Sequence, residues 1–220
     1  VTDDLTELVR LLFPAGVEVE AGVPGETFGR LFPEEEALIA RAVEKRRREF
    51  RSGRILARRA LARLGVAEAP ILAKERRPLW PEGIVGSISH ADGCCAVAAA
   101  RRGRIEGVGL DVEVDGAVTQ KILARIATPE ELHRVGSCAG SARAGTVIFS
   151  AKEAFYKSLA AVHEDWIGFH DVRIEVGDDG TFRVVPIAAA VRSVLAGRRL
   201  EGRWCASDRW VFAGAVLARS

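Results

Sequence analysis

Apolar and polar positions alternate over residues 17–21 (VEVEA), the two-residue period of a short strand. Pro33 followed by Glu34, Glu35 and Glu36 reads as the first turn of a helix, where proline is tolerated and acids suit the dipole. Leu38, Ile39, Ala42 and Val43 continue it at helical spacing, and Gly53 predicts a break or kink. A second helix follows over 54–64, with Gly65 as its C-terminal cap. Pro70, Pro78 and Pro81 make 66–84 a connector. Apolar runs at 84–89 and 94–100, separated by Ala91-Asp92-Gly93, predict a hairpin, and 107–114 a third strand. Thr128 and Glu131 form a capping box, and the small residues of 136–145 predict a mobile loop before a helix over 146–161. Strands at 172–176 and 182–185 flank Gly177-Asp178-Asp179-Gly180; a short helix over 187–195 and strands at 199–206 and 210–218 close the chain. Each half holds helical material plus about three strands joined mostly by hairpins, so the fold class is α+β and not a doubly wound parallel sheet.

Composition narrows the class. A chain of 220 residues that is 48% hydrophobic has enough apolar material for a real core and argues against disorder. Net charge is only +2, so no global affinity for polyanions follows, but residues 45–59 are dense in Lys and Arg with the single acid Glu49. Cys94, Cys95, Cys138 and Cys205 lack metal-type C-x-x-C spacing and read as reduced thiols. No apolar run reaches the ~18–20 residues that span a bilayer, and the first residues lack the basic and apolar regions of a signal peptide. The expectation is a cytoplasmic protein.

Two stretches carry the chemistry. In a strand, Asp111 and Glu113 point to one face, flanked by Val108, Leu110, Val112 and Val114 on the other; Gly107 and Gly109 allow close approach of another backbone or a ligand. In the helix, Glu153 and Lys157 share a face at i, i+4, next to Lys152. Three carboxylates could hold a hard cation such as Mg²⁺, and lysines beside them could neutralise phosphates. Ser87, Ser89 and His90 at a strand-to-turn transition could hydrogen-bond a phosphate, and Arg46 and Arg54, eight apart, could clamp one. Each feature also has a plain reading when taken alone: a polar strand face, a surface ion pair, a structural histidine, a solvated basic helix. P-loop, G-x-G-x-x-G, G-x-S-x-G and zinc spacings are absent.

Taken in order, GSISH (86–90), GVGLDVE (107–113) and FSAKEAFYK (149–157) resemble the 4′-phosphopantetheinyl transferases of the Sfp-type superfamily, nearest to the enterobactin synthase component D-like branch. KRRREFRSGRILARRAL (45–61) and PLWPEG (78–83) fit the same branch. The resemblance implies transfer of the phosphopantetheine arm of coenzyme A to a serine of an apo acyl or peptidyl carrier protein. Adenosine 3′,5′-bisphosphate is released, with Mg²⁺ or Mn²⁺ required. It implies Asp111, Glu113 and Glu153 as metal ligands, with Glu153 also the candidate base. Lys152 and Lys157 would hold the diphosphate, Lys157 also serving catalysis, and Ser89, His90, Arg46 and Arg54 would contact coenzyme A. It further implies two similar α+β sub-domains in pseudo-twofold relation, assigned here to 1–106 and 107–220. The family's phosphate-binding lysine before P-x-W-P-x-G has four competing positions, Leu72, Lys74, Arg76 and Arg77, and Ala91 stands where many relatives have cysteine.

The expected partners are coenzyme A and carrier proteins of polyketide, nonribosomal peptide, siderophore or fatty-acid assembly. Carriers are usually acidic, which makes the rim near 136–146, with Arg134 and Arg143, the expected docking region. No nucleic acid and no membrane span is expected, and the chain is expected to act as a monomer. The competing readings are a coenzyme A- or nucleic-acid-binding protein without transferase activity, and a Mg²⁺-dependent phosphohydrolase.

Overall fold

A computed structural model describes residues 2–26, 29–75, 77–136, 140–163 and 165–220. The chain opens with α1 (Thr2–Arg10), which the sequence reading did not anticipate. Leu5, Val9 and Leu12, at i, i+4 and i+7, give this stretch a buried stripe. β1 (Val17–Gly22) leads to α2 (Pro33–Leu38) and α3 (Glu44–Arg63). The helix runs unbroken through Gly53, which corrects the expected break. That glycine serves packing: a Cβ there would stand 2.9 Å from Ile88 Cγ2 on the sheet beneath. A ribbon, β2 (Ala73–Lys74) and β3 (Arg77–Pro78), interrupts the proline-rich connector. β4 (Ile84–Ala91), β5 (Cys94–Arg101) and β6 (Ile105–Val114) follow, the first two turning at Asp92-Gly93, where Gly93 has φ +78°.

After β6 comes α4 (Gln120–Ile126), unforeseen, whose N-cap Thr119 accepts from Ile122 N at 3.4 Å. α5 (Pro129–Gly136) starts at the expected capping box: Thr128 N donates to Glu131 Oε2 at 2.7 Å and Glu131 N to Thr128 Oγ1 at 3.3 Å. α6 (Ser141–Leu159) begins five residues before the expected Thr146, so part of the presumed loop is helix. Residues 137–139, with Cys138, lie outside the described residues, as does Arg76. β7 (Val172–Val176), β8 (Thr181–Pro186), α7 (Ala189–Leu195), β9 (Arg198–Ala206) and β10 (Trp210–Arg219) complete the chain.

Among the described residues the strands outside the β2–β3 ribbon form two antiparallel sheets, β1-β5-β4 and β6-β10-β9-β8-β7, so the second half carries five strands and not about three. α3 packs on the small sheet and α6 on the large one. A single hydrophobic cluster runs from Val9 and Val19 through Val85 and Ala98 to Leu110, Val112 and Phe212, joining both sheets in one core. The edge strands β4 and β6 meet there, and Ser87 Oγ donates to Leu110 O at 3.2 Å across the seam. Among the described residues no helix is long and apolar enough to cross a membrane. Cys94, Cys95 and Cys205 are free thiols; burial pushes Cys94 and Cys205 up to about 12 and Cys95 upward as well.

Candidate active site

The period-two face of β6 carries Gly107, Gly109, Asp111 and Glu113, and α6 lies directly on the two glycines. A Cβ at Gly107 would overlap the Ser158 carbonyl oxygen and one at Gly109 that of Ala154. Contact this close between helix backbone and strand backbone is open only to glycine. It brings Lys157, on α6, onto Asp111, on β6.

Asp111 is 3% exposed. Its Oδ1 accepts from Lys157 Nζ at 2.6 Å and from Ser89 Oγ at 3.0 Å. Ser89, on β4, uses its whole hydroxyl: it donates to Asp111 and accepts from Lys157 Nζ at 3.0 Å and from Val112 N at 3.3 Å. Lys157 also donates to Leu110 O at 3.2 Å. Asp111 Oδ2 is buried and has no partner.

Glu113 and Glu153 share this negative field. Burial, then the charge of Asp111, pushes Glu113 up to about 7, with Lys157 opposing and Glu153 adding. Burial and Asp111 likewise raise Glu153, and Lys157 relieves it. Among the described residues no three carboxylate, imidazole or thiol groups already converge as a cation cage. The donor chemistry nevertheless fits a divalent cation. All three groups are hard oxygen donors, one buried Asp111 oxygen is empty, and the mutual repulsion is of the kind a cation relieves.

The basic face lies beside this cluster. Arg46 NH1 donates to His90 Nε2 at 2.5 Å, so Nε2 is a lone-pair acceptor and the imidazole proton sits on Nδ1, 3.5 Å from Glu49 Oε2. Burial lowers the His90 pKa, with Glu49 opposing and Arg46 and Lys157 adding to the lowering. Glu49, the single acid of the basic stretch, was given no site role from the sequence, although it lies three residues beyond Arg46 on the same helix. Arg54 is turned inward, 6% exposed, with Nε donating to Ile71 O at 2.6 Å and its guanidinium 4.2 Å over the Phe50 ring. Burial brings it down to about 10. Arg46 and Arg54 therefore lie two turns apart on one unbroken helix, and Arg46 is the exposed member of the pair.

Lys152, expected to hold the diphosphate, is instead turned inward. It is 0% exposed, and its ammonium donates to Glu131 Oε2 at 2.9 Å and to the carbonyls of Ile126 (2.8 Å), Phe169 (2.7 Å) and Val172 (3.1 Å). Its side chain points into the second half's interior, away from Asp111. Of the positions competing for the phosphate-binding lysine, Leu72, Lys74 and Arg77 are exposed beside or within the β2–β3 ribbon, and Leu72 has no charge to offer. On the expected docking rim, Arg143 is engaged with Asp115, Nε to Oδ2 at 2.7 Å.

Two family models match the chain: the 4′-phosphopantetheinyl transferase N-terminal domain over residues 34–100 and the 4′-phosphopantetheinyl transferase superfamily over 107–213. The first match contains Arg46, Arg54, Ser89 and His90, and the second Asp111, Glu113, Glu153 and Lys157. The chain is 33% identical to the 4′-phosphopantetheinyl transferase Svp of Streptomyces mobaraensis over 222 residues, 96% of this chain and 89% of that protein. It is 36% identical to the 4′-phosphopantetheinyl transferase PptT of Mycobacterium tuberculosis over 225 residues, 96% and 98%. Enterobactin synthase component D of Escherichia coli K12 matches at 35% over 141 residues, 63% of this chain and 66% of that protein. Matches of this extent, with the acidic and basic clusters inside them, make the chain a member of the 4′-phosphopantetheinyl transferase family.

Proposed function

We propose that the chain transfers the 4′-phosphopantetheine arm of coenzyme A to a serine hydroxyl of an apo acyl or peptidyl carrier protein, releasing adenosine 3′,5′-bisphosphate. The observation that carries this reading is the Ser89–Asp111–Lys157 junction, with its empty buried oxygen, flanked by Glu113 and Glu153. In the reaction the serine oxygen forms a bond to the phosphorus nearer the pantetheine. The bond from that phosphorus to the bridging oxygen breaks, and the bridging oxygen leaves on the adenosine side. The serine proton must go to a base. Glu153 is the candidate base, a carboxylate beside the metal-type strand residues Asp111 and Glu113 and one turn from Lys157 on α6. Lys157 places an ammonium where charge gathers on the leaving phosphate. Arg46, beside His90, offers a cation to the phosphates at the adenosine end. Asp111, Glu113 and Glu153 would hold Mg²⁺ or Mn²⁺, which supplies Lewis acidity to the diphosphate when bound. Both matched domains lie in one chain, which supports action as a monomer.

The test is mass spectrometry of an apo carrier incubated with the protein, coenzyme A and Mg²⁺, with Glu153→Gln and a chelator as controls. The expected result is the gain of one phosphopantetheine, lost in both controls. No gain on any of several carriers, with coenzyme A still bound, would refute the transfer reading.

A further inference from the structure

Lys152 sits beside the candidate base yet is sealed from solvent, and the transfer chemistry gives it nothing to do. We propose that Lys152 and Glu131 form a buried junction that positions Glu153 and Lys157 for the transfer step without touching coenzyme A.

The junction reaches four segments beyond its own helix. Lys152 donates to Ile126 O at the end of α4, to Glu131 on α5, to Phe169 O in the connection after α6, and to Val172 O at the start of β7. Glu131 is held as firmly. Besides the ammonium, Oε2 accepts from Thr128 N at 2.7 Å, and Oε1 accepts from Ile174 N at 2.6 Å. Both side chains are 0% exposed. Consecutive residues on a helix point about 100° apart. Fixing Lys152 into the interior therefore fixes the direction of Glu153, and that of Lys157 four residues on.

The opposite side of α6 rests on Gly107 and Gly109 through backbone contact. Glycine contacts fix how near the helix lies but carry no side chain that sets its rotation. The buried pair supplies that, tying α6 to polar atoms that accept only one arrangement. Stability alone is a poor explanation for the pair, because taking two charges out of water offsets most of their attraction, and an apolar pair is often as stable. The aromatic contacts support the same role. Phe169, whose carbonyl Lys152 holds, packs on Phe149 at 6.1 Å and on Tyr156 at 5.5 Å, and Tyr156 Oη donates to Gly168 O at 3.0 Å. The connection over 168–169 is thus anchored to α6 around the turn that carries Glu153.

The proposal rests on the transfer reaction proposed above, and wild-type protein in the same assay separates the two: no transfer by the wild type would refute that reaction, not this junction. Two variants test the junction, Lys152→Met with Glu131→Gln, and Lys152→Arg. Each is measured for urea midpoint, for coenzyme A Kd by calorimetry, and for kcat and KM with an apo carrier at saturating Mg²⁺. The expected result is a kcat per folded protein at least tenfold below wild type, with coenzyme A Kd within about threefold. A kcat within twofold of wild type in folded protein would overturn the proposal and leave a purely structural pair. A loss confined to coenzyme A Kd and KM would overturn it too, returning Lys152 to phosphate binding. If the double variant does not fold, Lys152→Arg decides on the same readouts.

Discussion

Ser89 makes three hydrogen bonds from one buried hydroxyl, to Asp111, Lys157 and Val112 N. Removing it leaves a buried N–H and part of a buried carboxylate without partners, a cost of about 1–3 kcal/mol. Ser89→Ala is therefore expected to lower the unfolding free energy by that amount, read as a lower urea midpoint at unchanged slope. It should also lower transfer by more than the stability loss explains, because Asp111 and Lys157 lose the group that aligns them. Equilibrium unfolding beside kcat on a carrier checks both; an unchanged midpoint would show that Ser89 is dispensable to the junction. At this scale much of the site was legible. The two-residue period of β6 put Asp111 and Glu113 on one face, and the four-residue period of α6 did the same for Glu153 and Lys157. Lys152 was misread because its partners, Glu131 and the carbonyls of Ile126, Phe169 and Val172, come from four separate segments. Adjacency to Glu153 in sequence says nothing of which way a helical neighbour points.

At the scale of elements, the contact of α6 with β6 sets the reach of the candidate catalytic side chains, Glu153 and Lys157. Gly109→Ala drives a methyl group into the Ala154 carbonyl, so the helix must lift from the strand. Overpacking of this kind costs about 1–3 kcal/mol. The expected outcome is that loss in unfolding free energy, read from urea unfolding, and a fall in transfer of at least tenfold in the folded fraction; full activity would show that α6 need not rest on β6. The sheet ends carry a second prediction. Glu106, at the start of β6, accepts from Arg219 Nε and Arg198 Nε, both at 2.6 Å, and these bonds hold its carboxyl below the usual carboxylate range. A carboxyl depressed in the folded state adds stability that is fully present above its unfolded value, 4.5, and is lost as pH falls through the folded one. The urea midpoint of wild type should exceed that of Glu106→Gln at pH 7, and the gap should close toward pH 3. Element boundaries were less legible than the site. Gly53 carries the marks of a helix breaker, but its cause is the Ile88 side chain of another element, invisible along the chain. The start of α6 was placed late because small residues favour loops only when nothing packs on them, and Leu123 of α4 lies 3.4 Å from the position of a Cβ at Gly145.

For the whole molecule, the two sheets act as one body. Their shared cluster joins Val85 and Ala98 of the small sheet to Leu110, Val112 and Phe212 of the large one. The β4–β5 turn adds a polar seam: Asp92 pairs with Lys45 of α3 at 3.1 Å and with Arg209 at 3.0 Å, and Trp210 Nε1 donates to Asp92 O at 3.0 Å. These exposed ion pairs contribute little individually and are screened by salt. The apolar cluster is what makes the halves interdependent. Neither sheet can unfold without exposing the apolar face that the other packs against. Trp80 packs against the small sheet's core and Trp204 against the large one's, which gives each half its own reporter. In each of two variants, one keeping only Trp80 and the other only Trp204, the urea transition followed by tryptophan fluorescence should coincide in midpoint and slope with that variant's own far-UV circular dichroism. Separate midpoints would mean that the halves are independent domains and that a site spanning β4 and β6 is assembled by docking. Coincidence means that the site is built once, on folding, with Ser89 of one sheet already bonded to Asp111 of the other before coenzyme A arrives.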